Sequence, residues 1–117
     1  SKGFAIIRSK GDKALFCLDT ALLKRKLGAP DSRLLADFLP TISIKAKDFA
    51  AEMASINVQQ KDLYGQSSIE KEHIENNTAV RNMMVSRGIY PEQLPAGEDL
   101  KKVEHRLKSE EKKITKK

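Results

Sequence analysis

Residues 24–53, KRKLGAPDSRLLADFLPTISIKAKDFAAEM, decide the fold. The run holds most of the bulky apolar side chains of the middle of the chain, a helix stop, a turn and two helix starts. Gly28 is a natural stop, because glycine enters the left-handed conformation without a Cβ penalty. Pro30 forbids continuation. Upstream of Gly28, Asp19 or Thr20 can cap a helix over Thr20–Leu27. Leu23 and Leu27 share one of its faces, and Lys24, Arg25 and Lys26 fan around the other. Downstream, Asp31 or Ser32 can cap a second helix, Arg33–Leu39, with Leu34, Leu35 and Phe38 as its apolar side. After Pro40 two patterns compete. Thr41 to Lys45 alternates like a strand, whereas Ile42, Ala46, Phe49, Ala50, Met53 and Ile56 follow helical spacing over a longer window. The longer pattern predicts a helix from about Thr41 to Asn57. Ala46, Ala50 and Ala54 would let a neighbour approach closely.

Working outward, the N-terminal run GFAII (3–7), the cluster Ser9-Lys10-Gly11-Asp12 and the run ALFC (14–17) read as a β-hairpin around a Gly-containing turn. Gln59–Gln66 reads as a loop. Ser67 and Glu70 form a capping-box pattern at the start of a long helix to about Arg87, which Gly88 stops. Its apolar positions are Ile69, Ile74, Val80, Met83, Met84 and Val85. Asn76, Asn77 and Thr78 interrupt that face, and predict either a kink or hydrogen bonds to a neighbour. Residues 89–97, IYPEQLPAG, are a proline-bounded connector with room for one short helical turn. A last helix starts at Glu98 or Asp99. Its stripe of Leu100, Val103 and Leu107 is narrow, with Ile114 on the same line. The expected fold is mainly α, one domain over 1–117: a hairpin at 1–18, a helical core at 19–58, and two longer helices within 67–117. That makes four to five helices with a short N-terminal β-hairpin.

The chain has 117 residues, 39% hydrophobic and 32% charged, with no Trp and one Cys. Such a length suits one modest core. No apolar run approaches a membrane span, no secretory signal is visible, and the single cysteine, Cys17, fits a reducing compartment; no membrane partner is expected. It begins Ser1-Lys2 without Met, as a cleaved product or a piece of a longer protein would. The net charge is +6. That permits attraction to nucleic acid or another acidic surface; solvated surface charge is the alternative.

No catalytic constellation emerges. One Cys and two His, His73 and His105, give no metal-ligand spacing. There is no P-loop, GxGxxG or GxSxG, and the acids are interleaved with Lys or Arg. Both histidines are expected on solvated helix faces and Cys17 in the core. The sequence therefore predicts no enzyme, no metal, no cofactor and no small-molecule substrate. The helices flanking Gly28-Ala29-Pro30 invite a helix-turn-helix reading, but Asp31 and Asp37 put acids where a recognition helix needs donors to base edges. If nucleic acid or an acidic partner binds, Arg8, Lys10, Lys13, Lys24, Arg25 and Lys26 would contact it without reading sequence. Leu100, Val103 and Leu107 fit docking on a partner helix or a dimer seam, or packing on the domain itself.

The segments KLGAPDSRLLADFLPTISIKAKDFAAE and NNTAVRNMMVSRGIYPEQLPAGEDLKKVEHRLKSEEKK resemble the C-terminal half of the bacterial DNA-damage-inducible protein D family, as does the opening GFAIIRSKGDKALF. The resemblance covers nearly the whole chain in order. It implies a cytoplasmic, non-enzymatic bacterial protein of the SOS response, associated with control of recombination through a recombinase–DNA filament. An N-terminal region similar to phage antirepressor domains would lie outside this sequence. The expected function is thus a regulatory interaction module. Non-specific DNA binding by the basic patch, and a structural or homodimerising role, stand beside it.

Overall fold

A computed structural model describes residues 2–97 and 107–109. Among them the chain forms four α-helices: α1 (Lys2–Phe16), α2 (Thr20–Leu27), α3 (Thr41–Gln60) and α4 (Gly65–Ser86). Two 3-10 turns, Leu35–Phe38 and Pro91–Gln93, and a helical stretch at 107–109 complete the described secondary structure, which includes no strand. The mainly helical expectation holds, and the N-terminal hairpin does not.

The hairpin fails because Gly11 is not a turn residue. It lies in mid-helix, where α1 crosses α4, and a Cβ there would come within 2.5 Å of the His73 ring and 3.2 Å of Asn77 Nδ2. Its use is close approach. Gly11, Asp12, Leu15 and Phe16 are all buried, at the spacing of one helical face. The two short apolar runs of the presumed strands are this face and its exposed shoulder, where Phe4 is 72% exposed.

Each helix stops on a residue with positive φ. Gly28 (φ 74) ends α2, with its N–H on the Arg25 carbonyl and that of Ala29 on the Lys24 carbonyl, a Schellman arrangement. Gly88 (φ 81) does the same for α4. At the ends of α1 and α3 the position falls instead to Cys17 (φ 62) and Asp62 (φ 55). Cys17 is exposed, not in the core as expected. At the other end of α2, the Asp19 side chain accepts from the Leu22 N–H at 2.9 Å, so this helix has the limits its sequence predicts. The expected helix over Arg33–Leu39 shortens to the 3-10 turn. There Leu35 and Leu39 are buried while Leu34 is 69% exposed.

α1 and α3 both pack on α4. The main core is Leu15, Phe16, Leu23, Leu35, Leu39, Ala46, Ala50, Val80 and Met84. On α3 the buried seam is Ser43, Ala46, Ala50 and Ala54, small residues that bring its axis close to α4. The large apolar residues expected in that core, Ile42, Phe49 and Ile56, are 44%, 53% and 51% exposed.

Asn76 and Asn77 are buried without breaking α4. Their Nδ2 groups donate to the carbonyls of Glu72 at 2.7 Å and His73 at 2.8 Å, one turn back. Asn57 on α3 adds a bond to Asn76 Oδ1 at 3.3 Å. After α4, Arg81 fixes the connector. Its guanidinium meets both carboxylate oxygens of Glu92, at 2.9 and 2.8 Å, and donates to the Leu15 carbonyl at 2.9 Å. Gly97 follows, its N–H on the Phe38 carbonyl at 2.8 Å.

Candidate functional site

The feature that joins most elements is a buried carboxylate. Asp12 of α1 is 2% exposed. Its Oδ1 is 2.8 Å from Lys47 Nζ of α3, and the Thr20 hydroxyl at the start of α2 donates to its Oδ2. One side chain thus ties three helices. Burying an ion pair is justified only with good geometry and further hydrogen bonds, and Thr20 supplies one.

Asp12 and Thr20 line a cleft of about 210 Å³ with Arg8, Lys24 and Lys47, over a floor that includes Leu35. Three cations from three helices line this cleft with one carboxylate, which Lys47 alone meets directly, a formal surplus of two positive charges. Lys24 is steadied by the Asp31 carbonyl, 3.4 Å from its Nζ. Arg8 also borders a second, mostly apolar groove of about 440 Å³, whose walls include Phe4, Ile7, Val58 and Ile69. His73 lies at that groove, half-buried rather than solvated as expected. Burial pushes its imidazole below the usual histidine range; Asp12 opposes this and Lys47 reinforces it.

The expected basic patch is divided. Arg8 and Lys24 come together in the cleft. Lys10 pairs with Glu70 at 2.6 Å and, with Lys13, lines a separate depression against α4. Arg25 is exposed on α2. Lys26 turns to the connector and donates to the Glu92 carbonyl. The cation that the sequence reading missed is Lys47. A signal existed: Lys47 follows Ala46 and lies four residues after Ser43, on the edge of the buried seam of α3. Of the expected docking stripe, Leu100 and Val103 lie outside the described residues, as does His105. Leu107 is helical and 54% exposed.

Among the described residues no cluster of three or more His, Cys, Asp or Glu could hold a metal ion, and no helix is long and apolar enough to cross a membrane. At the far end of α3, Lys61 and Glu72 pair at 2.9 Å. The hydrogen bond from Lys61 holds the Glu72 carboxyl below the usual range, and the same bond raises Lys61. The arrangement at the cleft suits an anion with several oxygens: it gathers the cationic side chains of Arg8, Lys24 and Lys47 around one cavity.

No protein family, curated protein or solved structure matches this chain.

Proposed function

We propose that this chain is a non-enzymatic interaction module that seats phosphate oxygens of a nucleic-acid backbone in the cleft between α1, α2 and α3. The supporting observation is the convergence of Arg8, Lys24 and Lys47 from three helices on one cavity. Phosphate contacts of this kind position a protein without reading bases. The sequence resemblance gives the setting: a cytoplasmic bacterial damage response, with the DNA presented inside a recombinase filament or a related protein–DNA complex.

The test is binding of labelled single-stranded and duplex oligonucleotides across a salt series, bare and recombinase-coated. Each phosphate contact adds about 0.7 to 0.9 to the slope of log K against log salt. Replacing Arg8 and Lys24 together by Ala should lower affinity and reduce that slope by roughly 1.4 to 1.8. Lys10→Ala with Lys13→Ala should leave the cleft term intact. Equal losses from the two pairs, or no loss from Arg8 and Lys24, would dismiss the cleft as the contact. A preference for the coated strand that survives both pairs would move recognition to protein–protein contact and overturn the phosphate reading.

A further inference from the structure

The outer face of α3 carries a second surface that the cleft does not use. Ile42, Phe49 and Ile56 recur at intervals of seven residues and are 44%, 53% and 51% exposed. Seven residues fall only about 20° short of two full turns, so the three side chains form one straight ridge. Met53, half-buried, borders it toward the core. On the neighbouring α4, Met83 is 56% exposed. The Asn57–Asn76 bond fixes the antiparallel register of α3 and α4, and from that register the helical spacing brings Met83 to the same side of the pair. A monomer usually buries such a ridge. Here the small seam residues of α3 took the core position instead.

We infer that this ridge is the seam of a two-fold symmetric homodimer, α3 against α3 of a second copy, antiparallel and centred on Phe49. The argument for a second copy is self-complementarity. A two-fold interface must match its own surface. With Phe49 on the axis, Ile42 of each copy lies opposite Ile56 of the other, and Phe49 meets Phe49. The flanking charges agree. Lys45 and Glu52 both lie on the outward flank of the ridge, and Lys45 is four residues before the axis while Glu52 is three after it. Antiparallel pairing puts Lys45 of one copy within one residue's rise, about 1.5 Å along the axis, of Glu52 in the other. Two such cross-pairs flank the seam. Parallel pairing would set Lys45 on Lys45 and Glu52 on Glu52. Asp48 points about 100° away from the ridge and takes no part.

The size is adequate. α3 has 20 residues and is about 30 Å long. Its outer face with that of α4 is about 20 Å wide, giving about 600 Å² per copy. A stable interface begins near that figure. The methionines add an adaptable rim.

Sedimentation of the full chain over a concentration series tests the seam. A concentration-dependent dimer is expected. Phe49→Glu should leave the helical content unchanged, because Phe49 is half-exposed, and should raise the dissociation constant at least 100-fold. The charges give the orientation. Lys45→Glu and Glu52→Lys should each weaken the dimer about 3- to 10-fold, and the double exchange should restore it. In a Cys17→Ser background, Phe49→Cys should oxidise to a disulfide dimer, since the two residues meet on the axis. A monomer at every concentration overturns the inference. So does a dimer indifferent to Phe49→Glu, including one that Leu107→Glu dissolves, because the seam would then lie elsewhere. Failure of the double exchange to restore affinity overturns the antiparallel register.

Discussion

Asp12→Ala is the perturbation with the clearest size. The carboxylate is 2% exposed and receives two hydrogen bonds, from Lys47 at 2.8 Å and from Thr20. A hydrogen bond to a charged group contributes about 1.5–3 kcal/mol. Removing one partner of a fully buried pair costs about 3–5 kcal/mol. Lys47 escapes the upper end, because its side chain keeps 24% exposure and can turn to water. The expected loss is about 3 kcal/mol, a fall in Tm of roughly 12 °C at about 4 °C per kcal/mol. Asp12→Asn keeps an acceptor for Thr20 but loses the countercharge of Lys47, and should cost about half as much. Replacing the pair with Leu at 12 and Met at 47 should recover most of the loss, since apolar residues of similar volume often replace buried ion pairs at little cost. Chemical denaturation followed by circular dichroism reads these stabilities, and adding Lys47→Ala and the Asp12→Ala, Lys47→Ala double variant closes a cycle that isolates the coupling. A loss under about 1 kcal/mol for Asp12→Ala, or no coupling to Lys47, would refute the view that this carboxylate joins the three helices.

Gly11→Val should destabilise by about 2 kcal/mol or more, measured by denaturation, because the new side chain must displace the His73 ring and Asn77. Cys17→Gly should stabilise by about 0.5–1 kcal/mol, seen as a higher Tm, since Cys17 holds φ 62 at an exposed helix end. Arg81→Lys should cost about 2 kcal/mol and speed amide exchange in the Pro91–Gln93 turn, as one ammonium cannot reproduce the fork to Glu92 and the bond to Leu15. Acid should destabilise in two stages. The folded state holds the His73 imidazole neutral by burial, so it binds fewer protons than the unfolded chain, and stability falls as pH drops from about 7 through the lowered value. Glu92 and Glu72 are held low mainly by hydrogen bonds from Arg81 and Lys61, and their contribution is lost only below the ordinary carboxylate range. His73→Gln should flatten the first stage of a pH–stability profile and leave the second.

Helix ends marked by glycine were legible: Gly28 and Gly88 stop α2 and α4 where the sequence places them. Ends held by Cys17 and Asp62 were not, because neither residue type announces a left-handed conformation. The hairpin error has the same origin. Gly11 beside Ser9 and Asp12 looks like turn chemistry, and only the facing His73 and Asn77 explain it as a packing glycine. Reading Ile7, Gly11 and Leu15 at four-residue spacing, with glycine counted as a buried position, would have suggested the helix. On α3 the periodicity gave the right element and the wrong inner face. Large apolar residues were placed in the core, but α4 approaches over Ser43, Ala46, Ala50 and Ala54, and contact distance outweighed hydrophobicity. The cleft was half legible. The charges of Arg8 and Lys24 show in the sequence, while Lys47 sits on a helix whose pattern displays only its apolar face, and Asp12 beside Gly11 has the chemistry of a turn.

The same inversion of α3 connects the two surfaces proposed for this chain. Lys47 and Phe49 are two residues apart, about 200° around the helix. The cleft and the ridge therefore occupy opposite sides of α3, with the seam to α4 between them. A dimer closed over the ridge leaves both clefts open and related by the two-fold axis. Two weak phosphate sites held in one particle bind a long polyanion more tightly than either alone, provided the strand can reach both. That arrangement needs no base reading. It favours an extended, repeating target over a short duplex site, which is the geometry of a nucleoprotein filament. The two proposals remain separable, since Phe49→Glu touches no residue of the cleft and Arg8→Ala touches none of the ridge. A monomeric variant with intact single-site affinity would show the second copy to contribute avidity; equal loss of both would show the cleft itself to depend on the dimer.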